Sequence, residues 1–201
     1  MISAIVLAAG LSTRMGCPKL TLPWGSTTVI GQVVATLVQA QVDDIVVVTG
    51  AARTEVEAAL EQARWGKVRT VFNPRYEVDN MLVSLQAGIN VLGKQVDAML
   101  VALGDQPQIE AGVVRLLVDT YQTEGYPLIV PSFDLRRGHP WIVDRALWPD
   151  LLSAAAGSTM RDFLHAHTGQ ITYIAVSSSS ILRDLDTPEA YARDTVATSK
   201  E

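Results

Sequence analysis

Short, almost uninterrupted runs of apolar residues recur along this chain, and longer segments with a different periodicity separate them. Strands that are apolar on both faces are typical of a parallel sheet that helices cover on both sides. The sequence therefore predicts a buried sheet. Its expected strands are AIVLA (4–8), IVVV (45–48), AMLVAL (98–103), PLIV (127–130) and ITYIAV (171–176), with a shorter one at VRTVF (68–72).

The segments between these runs have apolar residues at every third or fourth position, as amphipathic helices do. The pattern covers 28–40 and 110–121, and it recurs at Val56, Ala59, Leu60 and Ala63. Alternating strands and helices predict βαβ units with right-handed crossovers. We therefore expect an α/β fold with a mostly parallel sheet.

One region departs from this alternation. The stretch SFDLRRGHPWIV (132–143) indicates a turn or hairpin, and two short helices are expected near 144–153 and 158–166. Ser158 is a candidate N-cap for the second helix, because its hydroxyl can accept a hydrogen bond from a free backbone N–H. No linker, repeat or low-complexity block divides the chain, so one domain is expected over 1–201.

Charge and cysteine content exclude several classes of function. The formal net charge is −5 and the isoelectric point is about 5.2, so the chain lacks the positive field of a nucleic-acid-binding protein. The single Cys17 excludes an internal disulfide and a cysteine-rich zinc site. No apolar run approaches the roughly 18 residues of a membrane span, and the N-terminal run lacks the basic start of a signal peptide. We therefore expect a cytoplasmic protein that binds neither nucleic acid nor a membrane.

The loop GLSTRMGCPK (10–19) follows the first apolar run and combines small residues with two cations, Arg14 and Lys19. In an open α/β sheet, ligands bind beyond the carboxyl ends of the strands, where this loop begins. Small residues let a ligand approach backbone N–H groups, and the cations would add full charges. The loop matches neither the Walker A spacing nor Gly-x-Gly-x-x-Gly. It predicts a polyphosphate site, with a surface loop of solvated cations as the alternative.

Five motifs carry a resemblance to a known family. LAAGLSTRMGCPKL (7–20) resembles the signature loop of nucleotidyltransferases, Leu-Ala-x-Gly-x-x-x-Arg-Met-Gly-x-x-Lys. Each motif is weak by itself, but the order of the five resembles the molybdenum-cofactor nucleotidyltransferases, in particular the cytidylyltransferases. The other four are NPRYEVDNMLVSLQAG (73–88), GDQP (104–107), RGHP (137–140) and DLDTPEAY (184–191).

The resemblance implies a Rossmann-like, three-layer α/β/α nucleotidyltransferase fold. It also implies an activity, the transfer of CMP from CTP to the phosphate of molybdopterin or molybdenum cofactor with release of pyrophosphate. Because the acceptor phosphate is already an anion, such a reaction needs positioning and charge stabilisation rather than a general base. Residues 1–105 would mainly bind the nucleotide, and 130–170 would mainly bind the acceptor.

The family's nucleotide positions fall on the first loop and on the 73–88 motif. By resemblance, Arg14 and Lys19 bind the triphosphate and stabilise the leaving group, and together with Asp105 they are the expected catalytic residues. Ser84 resembles a position near the base and ribose, with a helix hydroxyl bonded to its own backbone as the alternative. The expected nucleotide-binding residues are Leu7, Ala8, Ala9, Gly10, Arg14, Lys19 and Ser84.

The implied cofactor is Mg²⁺, and the resemblance implies Asp105 and Asp186 as its ligands. Mg²⁺ is commonly held by one or two carboxylates together with phosphate oxygens and water. Thr187 can cap a helix that begins at Pro188, which would place Asp186 just outside the helix start. The alternatives are a turn-forming role for Asp105 and a backbone-binding role for Asp186. Asp184 is a weaker candidate.

The choice of base is expected to depend on Ala9. LAAG (7–10) resembles the cytidylyltransferase form, whereas guanylyltransferases resemble LAGG. The extra methyl group of Ala9 would narrow the pocket and favour a pyrimidine, although small pocket changes shift selectivity by only about 1–3 kcal/mol. Asn80 departs from the pattern, because cytidylyltransferase relatives often have glycine before the residue that corresponds to Met81.

The acceptor is expected to contact RGHP (137–140), through Arg137 and His139, with a Gly-Pro hairpin bearing solvated charges as the alternative. Three other functions stay open: a guanylyltransferase that uses GTP, a sugar-phosphate nucleotidyltransferase, and a non-enzymatic carrier. The carrier would deliver molybdenum cofactor to a molybdenum hydroxylase, which is also the possible protein partner of the transferase.

Overall fold

The computed structural model describes residues 1–62, 66, 68–78 and 80–198. Ala63 of the predicted helical pattern and Asp79 of the 73–88 motif lie outside the described residues. The strands within these ranges are β1 (Ile2–Ala8), β2 (Pro23–Trp24), β3 (Thr27–Thr28), β4 (Asp44–Thr49), β5 (Val68–Phe72), β6 (Ala98–Leu103), β7 (Leu128–Phe133), β8 (Arg136–Arg137), β9 (Trp141–Asp144) and β10 (Ile171–Ala175).

The α-helices of the described ranges lie between these strands, much as the apolar periodicity predicted. None of them combines the length and the apolarity that crossing a bilayer requires. They are α1 (Val29–Gln39), α2 (Arg53–Gln62), α3 (Met81–Ile89), α4 (Ala111–Glu124), α5 (Trp148–Leu152), α6 (Met160–Ala166) and α7 (Pro188–Thr198).

The main sheet is mixed but mostly parallel, which confirms the predicted sheet type. Its strand order is β10-β7-β9-β6-β1-β4-β5, and β8 pairs with β7. Only β8 and β9 among the described strands of this sheet run antiparallel to their neighbours. The predicted hairpin explains the reversal, because the chain turns back after β7 at Asp134 and Leu135, both with positive φ. The returning chain then inserts β9 between β6 and β7.

Helices cover both faces of this sheet, which confirms the three-layer α/β/α architecture. Along β1, Ala4 and Val6 belong to a buried cluster that includes α1, α2 and α4. Ile5, between them, belongs to a second cluster that includes α3, α5 and α6. The alternation follows from the two-residue period of a strand and explains why apolar residues occupy successive positions.

The predicted cap of α6 is wrong by one residue. Thr159, not Ser158, is the N-cap, and its hydroxyl accepts from the backbone N–H of Asp162. The Asp162 carboxylate in turn accepts from the Thr159 backbone N–H, which completes a capping box. A pair of residues three apart can satisfy two free donors, and Ser158 has no such partner. Its carbonyl instead accepts a hydrogen bond from Asn80.

The carboxyl ends of β1, β4, β5 and β6 meet at one edge of the sheet, where open α/β folds bind ligands. The chain is tightly packed here. A Cβ on Gly50, the residue after β4, would lie 2.3 Å from the carbonyl oxygen of Ala9. Glycine at position 50 therefore lets the ends of β1 and β4 approach closely, and this contact places the loop after β1 at this edge.

Candidate active site

A cleft of about 450 Å³ opens at this edge of the sheet. Its walls are the loop after β1, the start of α3, the end of β6 and the loop before α7. The structure thus brings together residues that were predicted from four separate motifs. The lining includes all residues expected at the nucleotide and the metal: Leu7, Ala8, Ala9, Gly10, Arg14, Lys19, Ser84, Asp105 and Asp186.

A lysine and two aspartates meet in the cleft. Lys19 Nζ lies 2.6 Å from Asp105 Oδ2 and 2.8 Å from Asp186 Oδ1. Arg14 Nη2 lies 2.9 Å from the other oxygen of Asp186. The Lys19 side chain is only 14% exposed, so water screens these contacts less than it would on an open surface. Two carboxylates and two cations therefore form one compact charged cluster.

The contacts in the cluster favour the charged forms of Lys19 and Asp186. Burial alone would lower the pKa of Lys19, but Asp105 and Asp186 outweigh it and raise that pKa above its usual range. Burial alone would raise the pKa of Asp186, but Lys19 and Arg14 outweigh it and lower that pKa. At neutral pH the site thus presents a charged Asp186 carboxylate and a charged Lys19 ammonium group.

Hydrogen bonds between two loops hold the aspartates together. The backbone carbonyl of Asp105 accepts from the Leu185 N–H at 3.1 Å. Gln106 Nε2 donates to Asp184 Oδ1 at 2.5 Å, and burial raises the pKa of Asp184. Asp184 therefore connects the loops, a role that sequence reasoning missed. Thr187 accepts from the Ala190 N–H at 3.2 Å, which confirms the predicted cap of α7.

The loop after β1 offers free backbone donors to the cleft. Ser12 and Gly16 adopt positive φ values of 52° and 68° on either side of a single helical turn. No hydrogen bond within the described ranges uses the backbone N–H groups of residues 10–14 as donors. A Cβ on Gly10 would meet nothing within 4 Å, so glycine leaves open space here. Successive free N–H groups with adjacent cations can bind an anion.

The donor set fits a divalent metal that is bound together with phosphates. The described residues contain no group of three or more His, Cys, Asp or Glu side chains that could hold a metal ion. Asp105 and Asp186 nevertheless converge on one ammonium group, so their oxygens are close enough to face a common cation. Mg²⁺ is commonly held by one or two carboxylates plus substrate phosphates. These two residues would hold it.

Asn80, which departs from the family pattern, caps α3. Its Oδ1 accepts from the Leu82 N–H at 2.9 Å, and its Nδ2 donates to the Ser158 carbonyl at 2.7 Å. The side chain lines the cleft and connects its wall to the segment before α6. Asparagine is a favoured N-cap residue, so the position of Asn80 just before an apolar segment could have predicted the start of α3.

Residues 4–171 match the MobA-like NTP transferase domain. The chain belongs to the MobA-like NTP transferase family. It is therefore a nucleotidyltransferase with a nucleoside triphosphate as substrate, as the order of the five motifs predicted.

Relatives of this MobA-like transferase match it over nearly its full length. The nicotine blue oxidoreductase of Paenarthrobacter nicotinovorans is 30% identical, over 96% of this chain and 95% of the relative. The molybdenum cofactor cytidylyltransferase of Escherichia coli (strain K12) is 25% identical, over 94% of this chain and 93% of the relative. The two relatives differ in named activity, so they establish the family rather than the substrate.

Solved structures of similar proteins agree with the fold. Rv0371c from Mycobacterium tuberculosis H37Rv gives a TM-score of 0.84 at 26% identity, covering 97% of both chains. A complex of Rv0371c with manganese gives a TM-score of 0.78 at 25% identity, covering 96% of both chains. A divalent metal is thus present in a related structure.

The two residues predicted at the acceptor are not among those that line the cleft of the MobA-like transferase. Arg137 is exposed on β8. The His139 ring stacks on Trp141 with ring centroids 4.4 Å apart. Its Nε2 is buried and has no partner among the described residues. Contact of these residues with the acceptor stays a prediction.

The packing of His139 predicts a pH dependence of stability. Burial lowers the pKa of His139 from 6.5 to about 4 in the folded protein. As the pH falls, the unfolded chain therefore binds a proton at His139 before the folded protein does. The contribution of the neutral, buried imidazole to the free energy of unfolding is complete above about pH 6.5 and is lost towards pH 4. At about 1.4 kcal/mol per unit, the loss is at most about 3 kcal/mol.

Replacing His139 by phenylalanine keeps an aromatic ring beside Trp141 but removes the titrating group. We expect the free energy of unfolding of the H139F variant to fall less than that of the wild type between pH 6.5 and 4, as measured by urea denaturation. Equal losses in the two proteins would show that the imidazole is already solvated in the folded state.

Proposed function

We propose that this MobA-like transferase moves CMP from CTP to the phosphate of a molybdopterin-type acceptor and releases pyrophosphate. The observation that carries the proposal is the meeting of Lys19 with Asp105 and Asp186 beside the free N–H groups of residues 10–14. A triphosphate needs cations and N–H donors on one side and a metal held by carboxylates on the other. The cleft contains cations and free N–H groups, together with two carboxylates that would hold the metal.

The chain's own contribution is the placement of charge. The acceptor phosphate attacks the α-phosphorus, a new P–O bond forms, and the bond to the pyrophosphate oxygen breaks in line. Negative charge grows on that leaving oxygen, and Arg14 and Lys19 would stabilise it together with the N–H groups of residues 10–14. Bound Mg²⁺, held by Asp105 and Asp186, would neutralise phosphate charge. No proton has to be removed from the nucleophile, so no general base is assigned.

Preference for CTP is proposed to depend on Ala9. The side chain is 5% exposed, lines the cleft, and is held in place by the close approach of Gly50. Because its methyl group cannot move away, it limits the space beside the base. The cytidylyltransferase among the relatives supports a pyrimidine nucleotide.

Replacing Ala9 by glycine would remove this methyl group. We expect the ratio of kcat/KM for GTP to that for CTP to rise by about tenfold, within the range that one methyl group supplies. Steady-state pyrophosphate release with each nucleotide measures the ratio. An Ala8→Gly variant, changed at the adjacent position, serves as the matched comparison. A ratio unchanged in A9G would place base selection elsewhere.

The proposed domain division places the nucleotide mainly on residues 1–105 and the acceptor mainly on 130–170. Asn80 supports contact between the two parts, because it lines the cleft and donates to Ser158. The acceptor identity rests on the motif order and on the cytidylyltransferase among the relatives.

The deciding experiment tests each nucleotide with each acceptor. Pyrophosphate release is measured from CTP and GTP with Mg²⁺, in the presence of molybdopterin, of molybdenum cofactor, of a sugar phosphate, or of no acceptor. Release from CTP only with a molybdopterin-type acceptor supports the proposal. Release from GTP with the same acceptor indicates a guanylyltransferase, and release with the sugar phosphate indicates a sugar-phosphate nucleotidyltransferase.

Two further outcomes point to other functions. Nucleotide binding without pyrophosphate release from any acceptor would support a cofactor carrier. An additional reaction mixture contains nicotine blue with an added chemical reductant, because a nicotine blue oxidoreductase is a relative over nearly the whole chain. Protein-dependent reduction of nicotine blue without nucleotidyl transfer would overturn the proposed function.

A further inference from the structure

Asn73 is buried behind the cleft wall and contacts Ser84. It follows β5 directly and is 1% exposed. Its backbone N–H donates to the Thr49 carbonyl at 2.9 Å. Its side-chain Oδ1 accepts from the Arg75 N–H at 2.9 Å, and its Nδ2 donates to Ser84 Oγ at 3.1 Å. These three hydrogen bonds fix both the backbone and the side chain of Asn73 between the end of β5 and the start of α3.

The hydrogen bonds of Asn73 fix the orientation of its amide group. If the amide were rotated by half a turn, its NH₂ group would face the Arg75 N–H, and two donors would meet. The carbonyl oxygen therefore faces Arg75, and the amide nitrogen faces Ser84. Because an amide NH₂ cannot accept, the hydroxyl hydrogen of Ser84 must point away from Asn73.

That hydroxyl hydrogen is available to the cleft. No hydrogen bond within the described ranges has Ser84 Oγ as its donor. The Asn80 carbonyl, one helical turn earlier, accepts from the Val83 N–H rather than from the hydroxyl of Ser84. Ser84 itself is 8% exposed and lines the cleft with Ala9 and Met81. A buried donor without a partner is costly, so a ligand acceptor at this position would be favoured.

We propose that Asn73 is a positioning residue that makes Ser84 a hydrogen-bond donor to the nucleobase, which rests on the nucleotide-binding function proposed above. Pyrimidine bases present carbonyl oxygen acceptors, which a hydroxyl can satisfy only when it donates. Asn73 ensures this direction because its NH₂ group occupies the other side of Ser84 Oγ. Asn73 thus selects for an acceptor atom on the base although only Ser84 touches the base.

Replacing Asn73 by aspartate reverses this hydrogen bond while keeping the shape of the side chain. The carboxylate would still accept from the Arg75 N–H, but its other oxygen would now accept from the Ser84 hydroxyl. We expect N73D to weaken Mg·CTP binding by about tenfold, the size of one hydrogen bond, in isothermal titration calorimetry. Its KM for CTP should rise while kcat changes less.

A double-mutant cycle separates positioning from general damage. Ser84→Ala should weaken CTP binding as much as N73D does, and the N73D/S84A protein should be no weaker than either single variant. The two changes remove the same hydrogen bond, so their effects should not add. Additive losses would overturn the proposal.

Two controls address the added negative charge. Asn90→Asp places the same charge at the exposed far end of α3 and should leave CTP binding unchanged. Tripolyphosphate, which has no base, should bind equally to wild type and N73D. An equal loss of tripolyphosphate and CTP binding would mean simple charge repulsion and would overturn the role of Asn73. Failure of the wild type to bind CTP or GTP with Mg²⁺ would instead overturn the proposed function, and this role with it.

Discussion

Replacing Asp105 by asparagine is expected to lower Mg²⁺-dependent pyrophosphate release by about 1,000-fold, while the fold stays intact. A metal bound at a developing phosphate charge is worth several kcal/mol, and each 1.36 kcal/mol is tenfold in rate. Asp105 follows β6 at the edge of the cleft, and its carboxylate shares the Lys19 ammonium with Asp186. Asparagine keeps the shape but loses the charge that a divalent cation needs.

The measurement combines activity with direct metal binding. Mn²⁺ binding in the presence of CTP, followed by electron paramagnetic resonance, should weaken in D105N, and circular dichroism should be unchanged. Asp119→Asn, at an exposed position on α4, is the matched control and should behave as wild type. Near-normal turnover of D105N would remove Asp105 from the metal site.

Replacing Lys19 by methionine is expected to move two readouts in opposite directions. Turnover of CTP should fall by about 100- to 1,000-fold, because a preorganised charge beside the leaving group is lost. Binding of Mn²⁺ alone should become about tenfold tighter, because the ammonium that now neutralises Asp105 and Asp186 would be gone. If Lys19 only stabilised the fold, its loss would not lower turnover and tighten Mn²⁺ binding at the same time.

The control for Lys19 is Lys94→Met, which removes one exposed cation from a position remote in sequence from the 10–19 loop and the two aspartates. Both readouts of this variant should match the wild type. Unchanged Mn²⁺ affinity in K19M would show that the lysine and the metal do not compete for the same carboxylates. Unchanged turnover would show that Lys19 does not act on the phosphates.

The strands and the location of the cleft could be predicted because their signals are local. Runs such as 45–48 and 98–103 are apolar at successive positions, as strands covered on both faces require. The carboxyl ends of such strands bind ligands in open α/β sheets, so the 10–19 loop and Asp105 could be placed at the cleft. The order of the motifs then predicted the family, which the match over 4–171 confirmed.

Other features could not be predicted because they depend on contacts between distant segments. The insertion of β9 between β6 and β7 follows from strand pairing, which no local period encodes. The cap of α6 was predicted one residue too early, since Ser158 and Thr159 carry the same hydroxyl and only the partner Asp162 distinguishes them. Asn73 begins the 73–88 motif, but its role could not be predicted, because its effect on Ser84 acts across a loop.

The sequence by itself determined the α/β class, the family and the chemistry of the loop after β1, since residue type and spacing along the chain carry that information. Only the tertiary structure decided that Lys19 meets an aspartate 86 residues away and another 167 residues away. Charges so far apart in sequence interact only where packing brings them within a few ångströms. The sheet edge does this here, because parallel strands deliver their following loops to one place.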